Sequence, residues 1–571
     1  MKKYSIRGPI SGSEIAGLKE YPELLQQLLF HRGIKTQGGA NVFLNPDYEK
    51  HIHDSFLMKD MSRAVERILS AIDSNEKIII YSDYDADGIP GGVILHNFFK
   101  KIGFKNFENY IPHRHEEGYG LNHEAIEEFK GNGAKLLITV DCGTADNKEI
   151  KRAQEAGIDV IITDHHEPPA ALPKALAILN PKREDDTYPY KFLCGSGVVF
   201  KLVQAILAKK DFGLKPGMEK WLLDLVGLAT LSDMVPLTGE NRALAHYGLF
   251  VLRKSPRVGL MRLLRKLKID QRYITEDDIS FMIAPRINAA SRMGYPRDAF
   301  NLLATDDETE ADTLAEHLNS INNERKGIVA TLVKEMKKTL RDRTQNGGVR
   351  EVIVLGNPDW RPALLGLAAN ALIEEHGKPV FLWGREGGES IKGSCRSEGA
   401  TNVVALMRAA EGLFLEFGGH TMSGGFTVAP EKIHFLEDGL LKAYELLAGK
   451  GFAEAAPKWI DQRLSLDDVN WQNWNLIEKL APFGIENPKP IFMFENVETR
   501  TIKQFGKERN HLEISFENKA GKLIRAIAFF ADEKAFREPL GEGLKINLLA
   551  TMEKSMFRDY PELRLRVIDI I

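Results

Sequence analysis

Short apolar runs alternate with amphipathic stretches along the chain from residue 61 to about residue 260. The clearest runs are residues 78–80, 136–140 and 160–163, and their length and β-branched content are typical of buried strands. The stretches between them space their apolar residues as helices do. Because parallel strands need long crossover connections, this alternation predicts a parallel sheet covered by helices on both faces.

The same kind of pattern divides the rest of the chain. Residues 23–30 are amphipathic at helical spacing, and residues 276–343 are helical and charged, with a long helix expected to bridge two lobes. Residues 352–355 begin a second α/β unit, and the last section alternates in short strand-like pieces that suit a small barrel. The predicted domains are a helical segment at 1–55, an α/β lobe at 56–260, a helical connector at 261–345, a second α/β lobe at 346–452 and a barrel at 457–571.

Three carboxylates follow the first predicted strand. Asp83, Asp85 and Asp87 alternate along the chain before Gly88, and alternate residues of an extended segment face the same way. Carboxylates crowded together repel each other unless they are protonated, hydrogen-bonded or neutralised by cations. A solvated acidic turn is the alternative, and the spacing also resembles the start of an EF-hand loop, although a strand and not a helix precedes it here.

Acidic and histidine residues also follow the next two strands. Asp141 comes after residues 136–140, and Asp164, His165 and His166 come after residues 160–163. Asp233 follows an apolar helix, and the helix dipole disfavours a carboxylate at that end. A functional role would explain its presence there. Ligands in an open α/β sheet bind beyond the carboxyl ends of the strands. These side chains are therefore expected to meet at one metal-binding edge.

At this point the ordered motifs resemble those of the DHH phosphoesterase superfamily. They are Asp83-Tyr84-Asp85-Ala86-Asp87-Gly88, Asp141-Cys142-Gly143, Asp164-His165-His166 and residues 232–237, followed by residues 418–426, as in the accompanying DHHA1 domain, and residues 482–490. Within the superfamily the chain is most similar to single-strand-specific DNA exonucleases. The resemblance implies DHH and DHHA1 lobes joined by the long helix, with a C-terminal OB-like β-barrel. It also implies hydrolysis of single-stranded DNA from 5′ to 3′ into mononucleotides, in DNA repair and recombination.

The resemblance also implies a site with two divalent cations. Because histidine joins the carboxylates, Mn²⁺ suits these ligands better than Mg²⁺, which is the alternative. Asp85 would hold one cation, Asp87, His165 and Asp233 the other, and Asp141 both. His166 would face the scissile phosphate, with Asp83 and Asp164 orienting the ligands. The substrate-binding residues implied by the resemblance are Arg114, Arg286, Asn288, Arg292, Ser394, Arg396, Ser397, Gly419 and His420. Arg114 could instead form an ion pair with Glu116 or Glu117. Residues 393–397 and 418–420 could instead be ordinary glycine turns with no role in substrate binding.

Composition limits where a nucleic acid could bind. The 571 residues carry a net charge of −4, so attraction to DNA must come from a local basic groove. The three cysteines are far apart, which excludes a local zinc motif and fits a reducing compartment. Since the sequence shows no apolar signal core or membrane-spanning run, a cytoplasmic protein is expected. A monomer is also expected. The family resemblance implies single-stranded DNA as the partner, with a single-strand-binding protein and a helicase as further candidates.

Two other functions are compatible with the motifs. A DHH phosphodiesterase acting on short RNAs or cyclic dinucleotides would use the same metal centre, but such enzymes are typically shorter and lack a C-terminal barrel. A non-catalytic Cdc45-like scaffold would resemble the nucleases while lacking metal ligands, whereas this chain retains every carboxylate and histidine of the set.

Overall fold

A computed structural model describes the chain except residues 1–3, 9, 13, 15, 345–347, 386–389, 400, 449–456, 507–508, 532–535, 537, 539 and 557–559. The N-terminal segment contains strand β1 (Tyr4–Ile6) and helices α1 (Glu23–Phe30), α2 (Gln37–Leu44) and α3 (Tyr48–His51). Strand β1 corrects the all-helical prediction for residues 1–55. It pairs in parallel with residues 458–460, and no local pattern in a three-residue strand could indicate a partner so distant in sequence.

The first lobe is the predicted parallel α/β unit. Its elements are α4 (Met61–Asp73), β2 (Lys77–Ser82), α5 (Gly88–Lys101), β3 (Phe107–Tyr110), α6 (His123–Gly131), β4 (Ala134–Val140), α7 (Asn147–Glu155), β5 (Asp159–Thr163), β6 (Ala177–Leu179), α8 (Gly195–Lys209), α9 (Leu223–Ser232) and α10 (Gly239–Leu252). The strand order is β3-β2-β4-β5-β6, and all pairs are parallel. Helices cover both faces of the sheet, and their apolar residues form a separate core on each side.

A helical connector follows, consisting of α11 (Val258–Leu267), a π-helical turn (Asp278–Ile283), α12 (Ala284–Met293), α13 (Pro296–Ala304) and α14 (Glu308–Thr344). Helix α14 has 37 residues. Its first half packs Ala315 and Leu318 into the core of the first lobe, and its second half packs Met336 and Leu340 into the second lobe. The long helix therefore joins the two lobes as predicted.

The second lobe contains β7 (Ile353–Gly356), α15 (Pro362–His376), β8 (Val380–Gly384), β9 (Ile391–Arg396), α16 (Val403–Ala409), β10 (Phe414–His420), β11 (Ser423–Val428) and α17 (Leu436–Ala448). Its sheet has the order β10-β11-β9-β8-β7, with only β7 and β8 parallel. Residues 391–396 form the central strand of this sheet, so the alternative of an ordinary glycine turn at residues 393–397 does not hold for residues 393–396. Gly393 is required at this position because a Cβ atom would lie 2.1 Å from the Phe426 ring.

The C-terminal part is a closed barrel, which confirms the predicted OB-like domain. It contains β12 (Lys458–Ile460), β13 (Gln462–Arg463), α18 (Trp471–Glu478), β14 (Phe492–Phe505), β15 (His511–Glu517), β16 (Leu523–Phe529), β17 (Lys545–Ser555) and β18 (Glu562–Ile570). The sheet order β13-β14-β15-β16-β18-β17 closes through an additional β14–β17 pairing. The N-terminal helices share the core of this barrel through residues such as Leu25 and Leu28. None of the helices in the described residues is both long enough and apolar enough to cross a membrane.

Candidate metal centre

Strand register brings the predicted acidic residues to one edge of the first sheet. Ser82, Val140 and Thr163 end β2, β4 and β5 in register with one another, so the next residues of the three strands are neighbours. The backbone N–H of Asp83 donates to the Val140 carbonyl at 3.0 Å, and that of Asp141 donates to the Thr163 carbonyl at 2.9 Å. These bonds extend the ladder beyond the strands and fix both backbones at the edge.

His165 lies at the centre of the cluster. Its Nε2 atom is 3.1 Å from an oxygen of Asp141, 3.6 Å from one of Asp233 and 3.8 Å from one of Asp87. Ligand atoms of Asp87, His165 and Asp233 lie within 4.8 Å of one another, as do those of Asp83, Asp85 and Asp141. The first group is the set that the resemblance assigns to one cation. The second places Asp83 beside Asp85 and Asp141, whereas the sequence analysis expects it to orient the ligands.

Backbone groups hold two of these carboxylates in place. Asp85 accepts hydrogen bonds from the N–H groups of Asp87 and Gly88 at the start of α5. Asp87 accepts from the N–H groups of Gly195 and Ser196, at 2.6 and 2.7 Å, so the N-terminus of α8 points at it. A Cβ atom on Gly195 would lie 2.6 Å from Asp141, which is why glycine stands there. The sequence analysis missed this contribution of α8, and the Gly-Ser-Gly at residues 195–197 was its only local signal.

Burial makes the cluster electrostatically unfavourable without cations. Burial, and then the neighbouring carboxylates, raise the pKa values of Asp83, Asp141 and Asp233 well above the usual range and that of Asp87 to about 6. One buried oxygen of Asp83 has no hydrogen-bond partner among the described residues, and the Asp141 oxygen that lies 3.1 Å from Nε2 of His165 makes no well-aligned hydrogen bond there. Divalent cations satisfy such oxygens and offset their charge. The residues present therefore fit divalent cations.

Asp164 has a different environment from the other carboxylates. It accepts hydrogen bonds from the N–H groups of Thr144, His165 and His166 and from Nδ1 of His166, at 2.7 to 3.1 Å. These donors outweigh the effect of burial and hold the pKa of Asp164 well below its usual value. Asp164 thus bonds the backbones of both histidines and the ring of His166.

The two histidines differ in charge. Burial, and then the neighbouring His166, lower the pKa of His165 to about 3, so its ring is neutral, as a metal ligand requires. Burial opposes the charged form of His166, but the hydrogen bond to Asp164 and the nearby carboxylates raise its pKa to about 9. Tyr119, which the sequence analysis missed, places its hydroxyl 3.1 Å from Nδ1 of His166 and 3.2 Å from the Asp141 carbonyl oxygen.

A cavity of about 1300 Å³ lies between the two lobes beside this cluster. Three of the predicted substrate-binding residues, Arg114, Arg292 and Ser394, line it. Arg114 stacks its guanidinium over Tyr84 at 4.8 Å from the ring centroid. Arg292 donates to the Ala363 carbonyl at 2.6 Å and so joins the connector to the second lobe. Further basic residues in the lining, not singled out from the sequence, are His113, His115, Arg361, Arg385 and Lys392.

The other predicted substrate-binding residues lie outside that lining. Asn288 accepts a hydrogen bond from the Ala86 N–H at 2.9 Å and so supports the loop that carries Asp85 and Asp87. Ser397 is buried and donates to the Thr401 carbonyl, and Arg286 is buried against α14. Arg396 fits against Gly366 of α15, where a Cβ atom would approach its Nη2 to 2.7 Å. Gly419 and His420 end β10, and the His420 ring centroid is 6.5 Å from that of His166.

The loop of residues 482–488 contacts the segment that carries Asp233. The N–H of Leu237 donates to the Ile485 carbonyl at 2.9 Å. Nearby, Arg242 donates to the carbonyls of Leu480 and Ala481. The barrel domain is therefore bonded to the first lobe next to a candidate metal ligand, and removing it would also expose the core it shares with the N-terminal helices.

Known protein families match three parts of the chain. The DHH family N-terminal domain matches residues 77–230, the DHHA1 domain residues 346–443 and the RecJ OB domain residues 460–569. The chain is 32% identical to a Haemophilus influenzae protein named single-stranded-DNA-specific exonuclease RecJ, over 82% of this chain and 83% of the relative. The chain belongs to the RecJ family. The RecJ protein of Escherichia coli is 30% identical over 90% of each chain.

Solved RecJ structures share the fold. The structure of Thermus thermophilus RecJ in complex with Mn²⁺ has a TM-score of 0.82 and 25% identity, and the match covers 100% of this chain and 79% of that one. An exonuclease RecJ bound to manganese is 33% identical, with a TM-score of 0.58 and a match over 68% of this chain and 95% of that one. This chain spans 65% of the length of the Bacillus subtilis RecJ, to which it is 35% identical. The predicted family and fold class are confirmed, and the metal bound in these relatives agrees with the predicted cations.

We expect the metal-free protein to lose thermal stability as the pH rises from about 6.5 to about 9. The His166 ring and the buried carboxylates Asp83, Asp141 and Asp233 have higher pKa values in the folded state than in the unfolded state. As the pH rises through this window, the folded state must therefore release protons that the unfolded state has already lost, and this costs stability. His165 acts in the opposite direction up to about pH 7.5, because its folded-state pKa lies below its unfolded value; above that pH its ring is neutral in both states. Thermal unfolding in EDTA measures this as a midpoint that falls by a few degrees.

Mn²⁺ should weaken or reverse this trend, because cation binding needs deprotonated ligands and so becomes stronger as the pH rises. The same melts in excess MnCl₂ are the comparison. A metal-free midpoint that stays constant or rises over the window would contradict the electrostatic description of the cluster.

Proposed function

We propose that this protein is a divalent-cation-dependent exonuclease that hydrolyses single-stranded DNA from the 5′ end and releases mononucleotides. The observation that carries the proposal is the cluster of buried, uncompensated carboxylates beside a cavity lined by basic residues. The first feature suits cations that act on a phosphodiester, and the second suits the phosphate backbone. Membership of a family of single-stranded-DNA-specific exonucleases supports the choice of substrate.

We assign Asp85 to one cation, Asp87, His165 and Asp233 to the other, and Asp141 to both. Bound at these residues, the cations would supply an activated water nucleophile and positive charge for the transition state. The protein's own contribution is to position the ligands. Asp164 holds both histidines, the N-terminus of α8 holds Asp87, and Asn288 supports the loop between Asp85 and Asp87. His166, whose ring is held by Asp164 beside the candidate ligands, would contact the scissile phosphate.

The cavity explains how a protein with net charge −4 could bind DNA. Arg114, Arg292 and Lys392 lie on three different parts of its wall, contributed by the first lobe, the connector and the second lobe. Arg396 and His420 lie on the second lobe, and His420 is close enough to His166 for a phosphate to contact both lobes. We propose that these residues hold the strand, with the barrel domain binding its continuation.

Arg396→Gln should raise the KM for single-stranded DNA by roughly tenfold, because a charge-assisted hydrogen bond to phosphate of about 1.4 kcal/mol is lost. The turnover number and the Mn²⁺ affinity should change little, since within the described part of the chain the guanidinium donates to the Cys395 carbonyl and to none of the candidate metal ligands. Steady-state kinetics and metal titration measure the three quantities. Lys442→Gln, an exposed change on α17 of the same lobe, is the control. A variant that loses Mn²⁺ together with DNA affinity would show that Arg396 supports the metal centre instead.

The activity is tested by incubating the purified protein with Mn²⁺ or Mg²⁺ and end-labelled DNA. We expect mononucleotides from single-stranded DNA, none from a blunt duplex, and a 3′ label that is released last. Equal or better turnover of short RNAs or cyclic dinucleotides would favour the phosphodiesterase alternative. DNA binding with no hydrolysis under any cation would favour the scaffold.

We also propose that the protein acts as a cytoplasmic monomer in DNA repair and recombination. A helicase would supply the single strand, and a single-strand-binding protein would keep it accessible. Family membership and the single-strand requirement support these partners. Pull-down from a cell extract with the Asp141→Asn protein, with and without nuclease treatment, would separate protein contacts from DNA-mediated ones.

A further inference from the structure

The buried stripe of α14 contains a polar interruption between the two lobes. Before it, Ala315 and Leu318 pack into the first lobe, and after it, Leu332 and Met336 pack into the second. The positions between them that continue the helical spacing are Asn322, which is 0% exposed, and Arg325, which is 9% exposed. Apolar residues would pack better at both positions, so this interruption has a cost in stability and requires an explanation.

A third buried polar side chain faces this interruption from α12. Arg286 is 4% exposed and donates to the Met282 carbonyl at 2.9 Å and to the side chain of Asn319 at 3.4 Å. Several buried polar atoms here have no hydrogen-bond partner within the described part of the chain. They are Nε of Arg286, Nε of Arg325, and both Oδ1 and Nδ2 of Asn322. We call Arg286, Asn322, Arg325 and the adjacent exposed Lys326 the connector cluster.

The connector cluster carries positive charge without a compensating carboxylate. None of its three cations forms an ion pair with an acidic residue that the structure describes, although exposed acidic residues such as Glu316 and Glu324 lie on the same helix. Burial, and then the mutual repulsion of these cations, lower the pKa values of Arg286 and Lys326, and burial lowers that of Arg325. Buried guanidinium groups with free donors are stable when they bind an anion.

The position of the cluster indicates which anion. Helix α12 carries Arg286, Asn288 at the metal-bearing loop and Arg292 at the inter-lobe cavity. After burial, the positive charges of Arg114, Arg325 and Arg396 lower the pKa of Arg292. The positive potential of the cavity therefore continues to the connector cluster. A ligand that follows this potential carries several negative charges along its length, which describes a nucleic-acid backbone better than a single free anion.

We propose that the connector cluster binds a backbone phosphate of the single strand, one that is not the phosphate being hydrolysed. Arg286 and Arg325 provide guanidinium donors, Asn322 an amide donor and Lys326 an exposed positive charge beside them. The proposal rests on the proposed function, since it extends the path of the same substrate. It assigns α14 a role in holding the strand as well as joining the lobes.

Arg325→Met tests the proposal, because its two expected effects have opposite signs. Removing an uncompensated buried cation while keeping the side-chain volume should raise the thermal midpoint of the DNA-free protein. The affinity for a twelve-nucleotide strand, measured by fluorescence anisotropy in EDTA, should fall about fivefold, and the slope of log K against log salt should become shallower by about 0.7, the value for one lost phosphate contact on a single strand. Lys334→Met, on an exposed position of the same helix, is the matched control and should change neither quantity.

Lys326→Met gives a second variant whose exposed position does not threaten folding, and it should also make the slope shallower. An unphosphorylated dinucleotide has a single phosphate, which the metal centre needs, so its KM should be the same for parent and variants.

Stabilisation of the parent by inorganic pyrophosphate, with no change in DNA affinity on substitution, would assign the cluster to a free anion and overturn the proposal. So would an Arg325→Met protein that is less stable and binds DNA as the parent does. If the parent protein binds single strands but hydrolyses none, the proposed function fails. The binding measurements would still show whether the connector cluster contacts a backbone phosphate.

Discussion

Asp141→Asn should abolish Mn²⁺-dependent hydrolysis and at the same time make the metal-free protein more stable. Asp141 is assigned to both cations, so its replacement should lower activity by about 10³-fold or more and weaken Mn²⁺ binding. In the absence of metal, the buried Asp141 carboxylate faces Asp87 and Asp85, and one of its oxygens makes no well-aligned hydrogen bond among the described residues. A neutral side chain of the same shape should therefore gain roughly 1–2 kcal/mol in free energy of unfolding.

Activity assays, Mn²⁺ titration calorimetry and unfolding in EDTA together measure these effects. Asp159→Asn is the matched control, because Asp159 lies at the opposite end of the same sheet, where it pairs with Arg67. It should leave metal binding and hydrolysis unchanged. An Asp141→Asn protein that cuts DNA at the parent rate, or that still binds two Mn²⁺ ions, would refute the assignment of Asp141 to both cations.

Asp164→Asn should have the opposite effect on stability. Its carboxylate accepts from three backbone N–H groups and from the His166 ring, and an asparagine amide would direct N–H donors at some of these donors. The free energy of unfolding should fall by about 3 kcal/mol or more, because buried donors lose their acceptor and His166 loses its counter-charge. Hydrolysis should fall as well, since both histidines lose their orientation.

The pH dependence of stability supplies a further check on Asp164. Its folded-state pKa is depressed, so its contribution is present above the unfolded value of about 3.9 and is lost as the pH falls below it. The parent and Asp164→Asn should therefore differ most near neutral pH and converge in acid, as measured by urea unfolding. Equal stability of the two proteins at neutral pH would show that the Asp164 hydrogen bonds do not hold the site together.

The sequence by itself determined the first lobe and the location of its chemistry. Apolar runs of strand length, separated by helical spacing, leave a parallel α/β sheet as the arrangement that buries both faces. Parallel strands end at a common edge, so Asp83, Asp141 and Asp164 had to lie together once their strands were recognised. The long helix and the barrel followed from the same kind of local periodicity. These conclusions depended only on neighbours in sequence and on the geometry of regular elements.

Tertiary structure decided what depends on contacts between distant segments. Strand β1 exists because residues 4–6 pair with residues 458–460, and residues 391–396 form a central strand because β8 and β11 flank them. The sequence suggested that Asn288 contacts the substrate, whereas in the structure it accepts a hydrogen bond from the loop that carries Asp85 and Asp87. Helix α8 donates to Asp87 from more than a hundred residues away in the chain. That Arg325 forms no ion pair with a carboxylate of the described residues is likewise a property of the packed helices. Periodicity shows which face of an element is buried, but only the folded chain determines which polar groups meet there, because that depends on long-range packing.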